Sequence, residues 1–181
     1  MKLNDFIRVA PALDYGTCEQ LITCFYKNEP NHVRRENKIQ NFTEINYNQV
    51  SEKYTLDCLS RKIRTLVNIY KDHNPTGGRF FPSRYGVEEF RIKCYNDTSD
   101  CFNTHVDVGD LSSSRRFLAF LFYLNDDFDG GNTVFKTPET TVIKPAKGNV
   151  LMFPPTWQYP HEGKPVEAGT KFIMSTYLHY V

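Results

Sequence analysis

The sequence predicts an α+β domain, two helices followed by a β-sandwich or jelly roll, on three observations. Apolar residues at helical spacing occur before residue 73. From residue 88 onward the pattern changes to short β-branched and aromatic runs divided by Gly- and Asp-rich turns. Aromatic residues reach 14% of the chain, with 14 Phe and 11 Tyr, which suits a β-rich core. A length of 181 residues fits one domain able to bury a sizeable core.

In chain order, Thr17 is the expected cap of a first helix in which Cys18, Leu21, Ile22 and Phe25 share a face, with Pro30 beyond its end. Residues 31–50 are polar and Asn-rich, with a short strand near FTEINY. Ser51 is expected to cap a longer helix to about Asn68, where Tyr54, Cys58, Ile63, Leu66, Val67 and Tyr70 recur at helical spacing. HNPTGGRFFPSRYG, residues 73–86, reads as a long loop. Such loops often act as lids, so a flap is expected there, with Phe80, Phe81 or Tyr85 turned to substrate. Strands are expected over 88–95, 103–108, 115–125, 132–135, 140–146, 149–155 and 171–180, with turns at DDFDGG, AKG and VEAG.

A net charge of +1 gives no long-range pull toward nucleic acid or anionic membrane, so neither partner is expected. Asp5 and Arg8 interrupt the N-terminus before any run long enough for a signal peptide, and no later run could span a bilayer. The five cysteines have no CxxC spacing, which fits reduced thiols better than zinc or a disulfide framework. The expectation is a cytoplasmic protein.

Candidate chemistry starts at FNTHVD. In a strand, His105 and Asp107 would share one face. Taken alone, such a pair is more often a solvated edge than a site. His32 and His73 fall in polar connectors, where solvent is the default partner. His161, in PPTWQYPHEG, is open to either a loop or a ligand reading. His179 lies too many strand steps beyond Lys171 to join a common site. Together His105, Asp107 and His161 make a two-histidine, one-carboxylate set, the donor choice of non-haem ferrous oxygenases, without the thiolates of structural zinc.

The order of motifs is more specific. HVD, then DGGNTVF, then KPAKGNVLMFP, then H-x-G-x-P-V-x-x-G-x-K ending at Lys171, resembles the Fe(II)- and 2-oxoglutarate-dependent dioxygenases of the prolyl 4-hydroxylase type. The resemblance is strong over 88–181 and loose before it. It implies a double-stranded β-helix, a cupin-like jelly roll, over residues 88–181, with residues 1–72 as a helical support region of the same domain. It implies iron ligation by His105, Asp107 and His161. Lys171 would pair with the distal carboxylate of 2-oxoglutarate, and Tyr95, Tyr123 and Thr133 match positions that contact this co-substrate. Arg116 matches an arginine that bonds the substrate backbone, and Tyr177 stands where the family usually has a tryptophan against the proline ring. The glycine many members carry shortly after the position of Tyr95 is absent from YNDTSDCF.

The resemblance therefore implies C–H hydroxylation, at C4 of a prolyl residue in a peptide or protein, with release of succinate and carbon dioxide and ascorbate as reductant. One charge of Fe(II) is met by Asp107, and a 2-oxoglutarate dianion is met by the remainder plus Lys171, so the sum is neutral. Asp107 favours hydroxylation over halogenation, because related halogenases leave that position to halide. Nucleic-acid demethylases of this superfamily use arginine at the position of Lys171, which disfavours that branch. Two rivals stand beside this reading: an oxygenase of a small molecule or another side chain, and a non-catalytic cupin-like metal-binding protein.

Overall fold

The computed structural model describes residues 2–181. The helices are α1 (Tyr15–Lys27), α2 (Tyr47–Val50), α3 (Lys53–His73) and α4 (Pro75–Gly78). The strands are β1 (Arg8–Pro11), β2 (Val33–Glu36), β3 (Gln40–Asn46), β4 (Gly86–Val87), β5 (Arg91–Tyr95), β6 (Cys101–His105) and β7 (Arg116–Tyr123). They continue as β8 (Asp129–Gly130), β9 (Thr133–Phe135), β10 (Thr141–Ile143), β11 (Asn149–Phe153), β12 (His161–Gly163), β13 (Val166–Ala168) and β14 (Lys171–His179).

One curled antiparallel sheet runs in the order β1-β11-β7-β14-β5-β3-β6-β12-β9-β10, with β2 beside β3, β4 beside β14, and a separate β8–β13 ribbon. This is the expected double-stranded β-helix. Its central strand, β14, separates two cores by alternation. Phe172, Met174 and Leu178 face outward and pack with Leu21, Phe25, Ile63, Leu66 and Val67 of α1 and α3. Lys171, Ile173, Ser175 and Tyr177 line the barrel interior. There Ile173 packs with Phe42, Tyr95, Tyr123, Phe135 and Phe153.

Several boundaries move from those expected. The first helix is capped by Asp14, whose Oδ1 accepts from the Thr17 backbone N–H at 2.8 Å and whose Oδ2 accepts from Thr17 Oγ1 at 2.7 Å. Thr17 is thus a first-turn residue bonded to the cap. The second long helix is capped at Glu52 rather than Ser51 and continues to His73, where the approach to Pro75 ends it. Tyr54, expected on its apolar face, is 73% exposed because it sits in the first turn. Strands β1, β2, β4, β8, β12 and β13 are additional. Each has four residues or fewer, too short for period-two alternation to register.

The segment 73–86 is not a flap over the barrel mouth. It forms α4, then packs Phe81 and Tyr85 against Phe117 with ring centroids 5.3 and 6.4 Å apart, and ends in β4 paired with β14. Phe80 is 84% exposed, and none of these residues lines the interior cavity. Among the described residues no helix is long and apolar enough to cross a membrane.

The two faces of α3 make a stability contrast. Leu66→Ala, at a 1% exposed position, should lower the unfolding free energy by about 2–5 kcal/mol in urea denaturation. Tyr54→Ala should change it by no more than about 0.5 kcal/mol, and equal losses at both sites would contradict the helix orientation described.

Candidate metal centre

His105 ends β6 and His161 opens β12, and the two are directly paired across the strands. Asp107 reaches the same point differently from the alternation argument. Strand β6 stops at His105, and Asp107 stands on the bend that follows. Arg116 Nη1 donates to its backbone carbonyl at 3.3 Å, and the Tyr177 hydroxyl donates to its Oδ1 at 2.9 Å. The donor atoms of His105, Asp107 and His161 all lie within 4.8 Å of one another.

Hydrogen bonds behind the rings orient them. His105 Nδ1 is 2.8 Å from the Asn103 carbonyl, and His161 Nδ1 is 3.1 Å from the Tyr159 carbonyl. A carbonyl only accepts, so each Nδ1 carries the proton and donates. In a neutral ring each Nε2 then presents a lone pair. Those two nitrogens face Asp107 at 3.5 and 3.6 Å, and the buried Nε2 of His105 has no hydrogen-bond partner. Three lone-pair donors converging on one point repel unless a cation joins them. The donor set therefore fits a divalent metal, and one carboxylate with two imidazoles suits ferrous iron.

Electrostatics agree with that fit. Burial pushes the His161 imidazole down, outweighing the opposing pull of Asp107, and this favours the neutral ring a metal needs. Burial alone would raise the Asp107 carboxyl, but positive charge at the imidazoles, carried by Nε2 protons when no cation is bound, and the Tyr177 hydroxyl hold it well below the usual carboxylate range. It is ionised at neutral pH.

A family model described as the 2OG-Fe(II) oxygenase superfamily matches residues 90–179, the stretch that carries the triad and Lys171. The chain belongs to that superfamily. It is a 2-oxoglutarate-dependent dioxygenase. Its fold is similar to that of a viral collagen prolyl hydroxylase from Paramecium Bursaria Chlorella virus-1, with a TM-score of 0.75 at 22% identity over 97% of both chains. A Trichoplax adhaerens prolyl hydroxylase, solved with a hypoxia inducible factor peptide, gives 0.77 at 17% identity, over 97% of this chain and 84% of that one. A Pseudomonas putida prolyl-4-hydroxylase gives 0.73 at 14%, over 97% and 93%. No curated protein matches the chain.

The other expected site residues are gathered by the dioxygenase to different degrees. Lys171, 2% exposed, donates from Nζ to the Gly131 carbonyl at 2.6 Å and lies 5.2 Å from the centroid of the Tyr95 ring. Gly131 has φ +62°, and a Cβ there would stand 2.8 Å from Phe128, so only glycine presents this carbonyl without strain. Thr133 lines the cavity with Tyr95, while the Tyr123 hydroxyl lies one step behind and bonds Thr133 Oγ1 at 2.9 Å. Arg116 is already engaged. Its Nε and Nη2 make 2.8 Å bonds to both Glu88 oxygens, and its guanidinium lies 4.2 Å from the centroid of the Tyr177 ring.

Two site residues were not among those expected. Phe102 stacks on His105 at 3.5 Å with planes 10° apart. Regular alternation would separate residues three apart, but the β6–β12 pairing shifts register here, and no sequence signal marks that shift. Lys93 also lines the cavity, and its place two residues before Tyr95 on one strand was a usable signal.

Removing the Tyr177–Asp107 bond should be measurable without turnover. Tyr177→Phe should weaken Co(II) or Mn(II) binding by about 10–100-fold in calorimetry, and His161→Ala should weaken it further. Unchanged affinity in both variants would place the metal elsewhere.

Proposed function

We propose that this dioxygenase hydroxylates a prolyl residue of a peptide or protein at C4, consuming 2-oxoglutarate and releasing succinate and carbon dioxide. The observation that carries the reading is the convergence of two back-bonded imidazoles and an ionised carboxylate in the cavity that also holds Lys171. The prolyl hydroxylase folds of the structural neighbours support the substrate class, and the peptide bound in one of them supports a peptide.

In this reading His105, Asp107 and His161 hold the iron on one side. Bound iron and dioxygen supply the oxidising chemistry, coupling decarboxylation of 2-oxoglutarate to hydroxylation of a C–H bond. The Asn103 and Tyr159 carbonyls keep both Nε2 lone pairs aimed at the metal, and Phe102 fixes the plane of His105. Lys171 anchors the distal carboxylate of 2-oxoglutarate, with Thr133, Tyr123 and Tyr95 around it. Tyr177 and Arg116 act at the substrate end. Arg116 covers one face of the Tyr177 ring, so the opposite face meets the substrate ring, while its bond to the Asp107 carbonyl couples substrate contact to the metal ligand. Ascorbate serves as the reductant that restores ferrous iron. The free state of all five cysteines supports a reducing, cytoplasmic setting.

The deciding experiment incubates proline-containing peptide libraries with protein, Fe(II), 2-oxoglutarate and ascorbate. Succinate release with matching hydroxyproline by amino-acid analysis is expected. Succinate without hydroxyproline in any peptide would overturn the prolyl reading, and no succinate would overturn the catalytic one.

A second outcome follows from Lys171, whose amine burial pushes down to about 7. Binding a dianion requires the ammonium form. Affinity for 2-oxoglutarate, measured with Mn(II) in place of iron, should be full below pH 7. It should then weaken by up to about tenfold per pH unit above, as the free amine must first take up a proton. Lys171→Arg keeps its charge and should flatten this dependence, whereas the same slope in both proteins would remove Lys171 from the anchor role.

A further inference from the structure

The cavity contains a second lysine that none of these roles uses. Lys93 is 8% exposed, and its register partner on β14 is Ile173, one row from the Lys171–Tyr95 pair toward Tyr177. Its ammonium lies 5.1 Å from the Phe42 ring centroid and 5.4 Å from that of Phe102, the ring stacked on His105. It has no hydrogen bond or ion pair to any described residue. Glu44, directly opposite on β3, is turned to Arg35 at 2.9 Å and Arg91 at 3.9 Å.

Such a lysine is costly to keep. A buried ammonium without a partner loses hydration that two ring faces only partly replace, and burial accordingly pushes its pKa down. A methionine would fill the same volume without that cost. Lys93 bridges no elements by hydrogen bonding, so the fold gains from the charge only its contacts with two ring faces. The charge sum of the site points the same way. Iron, Asp107, 2-oxoglutarate and Lys171 already add to zero, and Asp107, the cavity's own carboxylate, is committed to the metal and Tyr177. Lys93 adds one positive charge, while Arg91 and Arg35 around Glu44 and Arg116 around Glu88 add no compensating negative one.

We propose that Lys93 is a specificity-determining residue that pairs with a carboxylate carried by the substrate close to the hydroxylated residue. This rests on the peptide-hydroxylase reading and narrows it to acidic substrates. The carboxylate comes from a neighbouring Asp or Glu side chain or from the substrate's own C-terminus.

The test uses protein loaded with Mn(II) and saturated with 2-oxoglutarate, so that binding is read by calorimetry without turnover. The probes are matched acetylated peptides Pro-Glu and Pro-Gln with amidated ends, and acetyl-proline as free acid and as amide. At least one acid should bind at least about tenfold tighter than its amide, the worth of one charge-assisted bond, and the pair that discriminates identifies the source. In Lys93→Met the ratio should fall to about one, with a melting temperature equal to or above that of the parent. Three results would overturn the proposal: no acid preference in the parent, a preference that persists in Lys93→Met, or a clear fall in melting temperature that makes Lys93 structural. A loss of 2-oxoglutarate affinity in Lys93→Met matching that of Lys171→Met would also overturn it, assigning Lys93 to the co-substrate. Hydroxyproline formation reads the prolyl assignment separately. Acid preference without hydroxyproline would therefore keep Lys93 and reject proline.

Discussion

A carboxylate held ionised inside a barrel is the constraint on which the rest of this site depends. Asp107 lies at a chain bend, where its backbone and side chain are fixed by different partners, Arg116 at the carbonyl and Tyr177 at Oδ1. Burial works against its charge, and positive charge at the imidazoles, from a proton or a bound cation, together with one hydroxyl overcomes it. Those same imidazoles cannot turn away, because each Nδ1 is bonded to a carbonyl two residues earlier in its own chain. The result is a rigid set of donors whose mutual repulsion is relieved by a cation. Rigidity of this kind is what selects a metal's geometry, since a floppy set would relax around other partners.

Strand β14 distributes that chemistry. Its outward residues seal the sheet against α1 and α3, and its inward residues place Lys171 deep, Ile173 and Ser175 in the middle and Tyr177 at the Asp107 end. Anchor and substrate-side groups thus sit on one rigid element, at separations set by the strand repeat rather than by loop conformations. Helix packing and site geometry are thereby coupled. A residue exchanged on the outer face shifts the row that carries the inner one.

The legibility of this arrangement tracks the range of the interactions involved. Helical spacing finds α1 and α3, because that pattern spans many residues. The caps moved because Asp14 and Thr17 are both capping types, and the choice between them is made by backbone entry geometry. The segment 73–86 read as a flap from its composition. Phe81 and Tyr85 instead pack, partly buried, against the core, since Phe117 on β7 receives them, a contact between distant parts of the chain. In the site, motif order locates the triad, and strand alternation alone does not account for the pairing of His105 with Asp107. A bend, not a continuing strand, brings them together. Phe102 escaped for a related reason, an irregular pairing that local sequence does not encode.

The two interior lysines show how such a protein can separate folding from recognition. Neither ammonium is neutralised by a carboxylate of the chain: Lys171 is bonded to a backbone carbonyl, and Lys93 faces aromatic rings. Nearby acids are committed elsewhere, Glu44 to arginines, Glu88 to Arg116 and Asp107 to the imidazoles. An internal ion pair at either lysine would stabilise the protein and compete with any incoming carboxylate. Leaving both lysines to weaker partners lowers stability and keeps their charge available to ligands. Because the metal-loaded site and the Lys171 ammonium are both positive and share one cavity, a dianion with a chelating head and a carboxylate tail satisfies both together. That shape describes 2-oxoglutarate, and the lysine left over is then free to read the substrate.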